Sequence, residues 1–144
     1  MSTTIITIMP DFGFAWGWVR KLGRSRGIGP NFASDNYWGR DETVPQSLLD
    51  RFQVWQGRFE LITREPELDW ANFHEQGLGL CLELRQYIHE DIRMFYAKPI
   101  EDPCFEPDGE GDCPEDYWEI MPNGEARVVE DEEMQRLWQV NSPN

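Results

Sequence analysis

Between Pro45 and Ile62, five large apolar side chains, Leu48, Phe52, Trp55, Phe59 and Ile62, recur at spacings of four, three, four and three. Only an α-helix stacks that series on one face, and a helix with so bulky a stripe must bury it against something. Ser47 is the expected N-cap, and Pro66 keeps the helix from running much further. A second helix is predicted from an Asp69 cap through about Tyr87–Glu90, with Trp70, Phe73, Gly77, Cys81, Leu84 and Ile88 sharing a face. Gly77 and Gly79 would each cost about 1 kcal/mol against alanine in an exposed helix, so a close crossing is expected there.

The flanking segments read as strands. Thr4–Met9 is short and β-branched, and Phe12, Phe14, Trp16 and Trp18 alternate at period two. Residues 21–43, rich in Gly, Arg, Ser, Asn and Asp, are expected to be loop. Ile92–Ala97 follows the second helix as a strand. Tyr117–Met121 and Ala126–Val129 flank Asn123-Gly124, a strong hairpin signal, and a short helix is expected around Glu132–Val140. A chain of 144 residues suits one domain, here 1–144. The expected architecture is α+β: an antiparallel sheet with a two-helix hairpin packed on it and a long acidic loop at about 99–116.

Charge is distributed unevenly. The formal balance is −14, from 13 basic and 27 acidic residues. Residues 1–64 hold eight basic and six acidic side chains, and 65–144 hold five and twenty-one. Between 99 and 133, fourteen carboxylates face Arg127 alone. Such a balance disfavours autonomous binding of nucleic acid or an anionic membrane and points to a cationic partner. No apolar run is long enough to span a bilayer, the N-terminus lacks the basic flank of a signal peptide, and three cysteines fit a reducing compartment; the expected location is cytoplasmic.

No spacing identifies a reaction. His74 and His89, fifteen positions apart, would sit ~22 Å apart in one helix, too far for a shared metal. Cys81 reads as a core thiol. Cys104 and Cys113 could close a ring or supply two thiolate ligands, but a structural zinc needs four. Asp108, Glu110 and Asp112 have the alternation of a calcium loop, with Cys113 where its glycine belongs. The basic, Gly-rich stretch Arg20–Gly29 does not have the spacing of a P-loop. No metal, cofactor or catalytic residue is therefore expected. An enzyme using carboxylates such as Glu75, Glu83 or Asp91 would need two of them facing each other in a pocket.

Two stretches, Asp69-Trp70-x-x-Phe73-His74-x-x-Gly77-Leu78-x-Leu80-x-x-x-Leu84 and Phe95-Tyr96-x-Lys98-Pro99-x-Glu101-Asp102-Pro103, resemble those of small bacterial immunity proteins. The resemblance implies a non-enzymatic chain that binds and neutralises the toxin encoded beside it, one of the secreted or contact-delivered polymorphic toxins, in the cytoplasm. Because such proteins bind through variable surfaces, it carries over no functional residue. From charge and position, the expected toxin-binding residues are Glu101, Asp102, Glu106, Asp108, Glu110, Asp112, Glu115 and Asp116, with Phe105 and Trp118 as apolar anchors. The expected partner is a basic toxin domain, such as a nuclease, whose cleft these residues cover. The alternative is an acidic DNA mimic from a phage or mobile element, which would spread its carboxylates over an extended surface instead of gathering them in one loop.

Overall fold

The computed structural model describes residues 5–10, 16–21, 24–28, 44–61, 68–99, 102 and 117–140. Among the described residues, six strands form one sheet: β1 (Ile5–Ile8), β2 (Gly17–Lys21), β3 (Arg24–Ile28), β4 (Arg93–Ala97), β5 (Tyr117–Ile120) and β6 (Ala126–Val129), in the order β3-β2-β1-β4-β5-β6. The described residues also form three helices, α1 (Gln46–Glu60), α2 (Trp70–Arg85) and α3 (Asp131–Val140), and the fold is α+β. The sheet is mixed and not antiparallel throughout as expected, because β1 and β4 run parallel with Ile6 opposite Met94 and Ile8 opposite Tyr96. The cause lies in the helical hairpin. α2 runs antiparallel to β4, so the turn after it starts β4 at the end of the sheet from which β1 also starts. Arg85, buried, closes that turn by donating to the carbonyls of Ile92 (2.8 Å) and Glu90 (3.3 Å).

The stretch expected to be loop contains β3. Arg24-Ser25-Arg26-Gly27-Ile28 pairs antiparallel with β2 at the sheet's edge, held by backbone bonds to a single neighbouring strand. Phe12 and Phe14 lie outside the described residues. Trp16, just before β2, stacks on Phe52 at 4.3 Å between ring centroids, while Trp18 stands opposite Thr7.

The helix predicted from periodicity is α1, and Leu48, Phe52, Trp55 and Phe59 are all buried. It begins one residue before the expected cap: Pro45 precedes the first turn and Ser47 lies exposed within it. Asp69 does cap α2, accepting from the Asn72 amide at 3.1 Å. α2 ends at Arg85, so His89 stands in the turn beyond it and not on the same helix as His74. Contacts of α1 with α2 run in opposite order along the two helices, Arg51 with Glu83 and Phe59 with Trp70, which makes the pair antiparallel. The expected close crossing is at Gly77, where a Cβ would fall 2.7 Å from both Trp55 and Tyr96; at Gly79 there is open space.

α1 and α2 cover one face of the sheet, burying Ile6, Ile8, Val19, Met94, Tyr96 and Ile120, and Cys81 lies in this layer with its thiol pKa raised by burial. α3 covers the other face, where Met134 and Leu137 pack among Ile5, Phe95, Ala97, Tyr117 and Val129. No described helix is long and apolar enough to cross a membrane.

Candidate protein-binding surface

The acid-rich connection leaves the sheet from two adjacent residues. Ala97 at the end of β4 pairs with Tyr117 at the start of β5, so residues 98–116 depart from and return to one point. Lys98 and Pro99 are buried, and the Lys98 ammonium sits 5.7 Å from the centre of the Trp118 ring. The chain then turns, with the Asp102 amide donating to the Pro99 carbonyl at 3.1 Å.

Asp102 is not part of an exposed acidic surface, in contrast to the sequence expectation. It is 3% exposed, and its Oδ2 lies 2.5 Å from His74 Nε2; His74 Nδ1 lies 2.6 Å from the Tyr96 hydroxyl. With Nε2–H donating to the carboxylate, Nδ1 accepts the Tyr96 hydroxyl proton, and one tautomer satisfies all three groups. Burial, reinforced by Cys81 and Asp102, pushes the Tyr96 pKa well above its ordinary value and keeps the hydroxyl a donor. The line Tyr–His–Asp has the form of a proton relay, but Tyr96 is fully buried between Trp55, Gly77 and Trp118. The contacts tie Asp102 to α2 and, through His74, to β4. The sequence signal for them was the bare presence of His74 on the buried face of α2, which spacing alone could not pair with Asp102.

Glu101, Phe105, Glu106, Asp108, Glu110, Asp112, Glu115 and Asp116, like Cys104 and Cys113, lie outside the described residues. Trp118 is described and half-buried. Tyr96, Trp118 and Val128 form one row across β4, β5 and β6, and Ile120 with Ala126 form the next. Both rows lie on the face that α1 and α2 cover, yet burial ends at β5: Val128 is 51% exposed and Ala126 is exposed. Trp118 and Val128 thus make an apolar shelf beside the root of the acidic connection.

On the opposite face, Glu119 gathers two arginines that sequence reading did not single out. Arg93 donates to both its carboxylate oxygens at 2.9 and 2.8 Å, and Arg127 adds a bond at 2.7 Å and reaches Glu133 at 3.1 Å. Burial alone would raise the Glu119 pKa, but the two guanidiniums outweigh it and hold the carboxyl below its ordinary value. Counted from Asp108, Glu119 is the twelfth residue, the position of a calcium loop's bidentate glutamate, and the arginines occupy it instead.

A groove of about 480 Å³ runs between α1 and α2, lined by Arg51, Val54, Arg58, Gln76, Gly79 and Glu83 among others. Arg51 and Glu83 close it with a two-pronged ion pair at 2.7 Å, and Arg58 donates to Gln76 while lying over the Phe73 ring. Glu83 is therefore exposed and held by Arg51; Glu75 and Asp91 are exposed. Among the described residues, no group of three or more His, Cys, Asp or Glu side chains is arranged to hold a metal ion. No protein-family model, curated protein or solved structure matches the chain.

Proposed function

We propose that this chain is an immunity protein that neutralises a cognate bacterial toxin, a cationic nuclease domain, by laying an acidic surface over its active-site cleft in the cytoplasm. The observation that carries the reading is the convergence of charge and topology. The connection holding eight of the chain's carboxylates springs from the Ala97–Tyr117 pair, beside the uncovered Trp118–Val128 shelf. An apolar shelf at the root of a connection so rich in carboxylates suits a partner whose cleft is basic because it holds phosphates. Carboxylates there compete for the phosphate sites and steer encounter, with on-rates approaching ~10⁸–10⁹ M⁻¹s⁻¹ at low salt. Asp102 is buried and is left out of this surface; Glu101, Glu106, Asp108, Glu110, Asp112, Glu115 and Asp116, with Phe105 and Trp118, remain the proposed contacts.

The test is protection of cells expressing the product of the adjacent reading frame, with the affinity of the purified pair measured by calorimetry. Reversal of Glu106, Asp108, Glu110 and Asp112 to lysine should weaken binding and flatten its dependence on salt. Equal killing with and without this chain, together with no heat of binding, would end the reading.

A further inference from the structure

The sheet ends in an edge that nothing described covers. β6 pairs only with β5, and the Met121 amide donating to the Glu125 carbonyl at 2.8 Å sets the alternation of that ladder. Bonded pairs are therefore Glu119 with Arg127 and Tyr117 with Val129, and the main-chain N–H and C=O groups of Ala126 and Val128 point away from β5. Edge strands are ordinarily guarded by a charge, a proline or a bulge. The one charge in β6, Arg127, is drawn to Glu119 and Glu133 on the α3 face and does not guard it. Val128 instead presents an exposed β-branched side chain beside Trp118.

The surroundings define what can pair there. Glu125 before the strand, Glu130 after it and Glu132 in the first turn of α3 are exposed, whereas Glu119 and Glu133 are neutralised by arginines. An acidic strand would meet like charge at both ends of β6, and a basic one would meet its complement.

We propose that β6 is a docking edge for an extended segment of a cationic partner protein, which adds a seventh strand to the sheet. Four main-chain hydrogen bonds to Ala126 and Val128 hold it, an apolar side chain rests against Val128, and lysine or arginine residues flank it opposite Glu125 and Glu130. The inference deepens the immunity reading and rests on it for the identity of the partner, but the edge chemistry can be measured without the toxin.

The probe is a blocked hexapeptide alternating arginine and valine, with a glutamate–valine counterpart as control. Amide exchange and chemical shifts of the whole protein are followed by NMR. The Ala126 and Val128 amides should exchange freely in the unbound protein and become protected when the basic peptide is added. Val128→Pro removes an outward N–H without touching the β5–β6 ladder, and should weaken peptide binding at least tenfold while the protein stays folded. Protection of both amides in the free protein, protection that grows with protein concentration alone, equal binding of the acidic peptide, or undiminished binding by Val128→Pro would each overturn the proposal. The wild-type exchange measurement decides even if the proline variant does not fold. A V128P chain that neutralises the toxin as well as wild type would remove the edge from the interface and leave the immunity reading standing. Capture of the peptide by a chain that gives no protection would do the reverse.

Discussion

Two glycines in the same helix should respond to alanine with opposite signs. At Gly77, a Cβ would lie 2.7 Å from Trp55 Cζ2, 2.7 Å from Tyr96 Cε2 and 2.8 Å from the Tyr96 hydroxyl. Carbon atoms pack at about 3.5–4.0 Å, so a ring must move by roughly 1 Å. Neither ring is free to do so. The Trp55 indole donates to the Phe73 carbonyl at 2.9 Å and stacks on the Phe73 ring at 4.6 Å, and the Tyr96 hydroxyl is fixed on His74. Overpacking of this kind costs ~1–3 kcal/mol, and a lost hydrogen bond about 0.5–1.5 kcal/mol more. The gain of alanine over glycine in a helix offsets about 1 kcal/mol, leaving Gly77→Ala destabilised by roughly 1–3 kcal/mol. At Gly79 nothing lies within 4 Å, so Gly79→Ala keeps the helical gain of about 1 kcal/mol. Thermal unfolding followed by circular dichroism should separate the two, with Tm shifts of roughly 3–4 °C per kcal/mol for a chain of this size. A neutral or stabilised Gly77→Ala, or a destabilised Gly79→Ala, would refute the contact geometry between α1, α2 and β4.

Glu119→Gln should destabilise by about 1–3 kcal/mol, below the cost of orphaning fully buried charges because Arg93 and Arg127 keep access to water. Since the Glu119 pKa is depressed in the folded state, its contribution is present above the ordinary glutamate value of about 4.3 and lost as pH falls through the folded value. Stability measured against pH should show a shallower acid limb in the variant. Tyr96→Phe deprives a buried His74 nitrogen of its donor and should cost ~1–3 kcal/mol by denaturant titration. The raised Tyr96 pKa makes the opposite pH window: its contribution is complete below the ordinary tyrosine value of about 10 and declines as pH rises beyond it, a decline the variant should lack.

Much of this fold is legible in the sequence where period and burial coincide. Phe52, Trp55 and Phe59 recur at helical spacing because α1 buries that face, and Asn123-Gly124 marks the β5–β6 turn because Gly124 takes a positive φ of 89°. β3 was illegible because Arg24-Ser25-Arg26-Gly27-Ile28 carries one large apolar side chain and so no period, and its pairing rests on backbone bonds to β2. The parallel β1–β4 pairing was missed because strand direction is set by how the intervening helices return the chain, which no local pattern encodes. Asp102 looked like one exposed acid among eight. Its burial depends on His74, which lies 28 positions earlier and is brought to it only by α2 packing on β4.

That burial bears on how an acidic binding segment can be made effective. Pinning Asp102 moves the last described anchor of the connection on from Ala97, and for a generic loop a change of span from 98–116 to 103–116 alters the closure entropy by only about 0.3 kcal/mol. The clamp therefore matters little for stability through loop length. Its consequence is directional. With Lys98 and Pro99 buried, Lys98 lying on Trp118, and Asp102 held against α2, the chain has a fixed point at residue 102 beyond which six of the eight carboxylates follow in sequence. Binding energy from any segment is reduced by the freedom lost on association, so a fixed origin raises the share that appears as affinity. In the proposed function, one carboxylate surrendered to the interior thus gives those that follow it a defined origin.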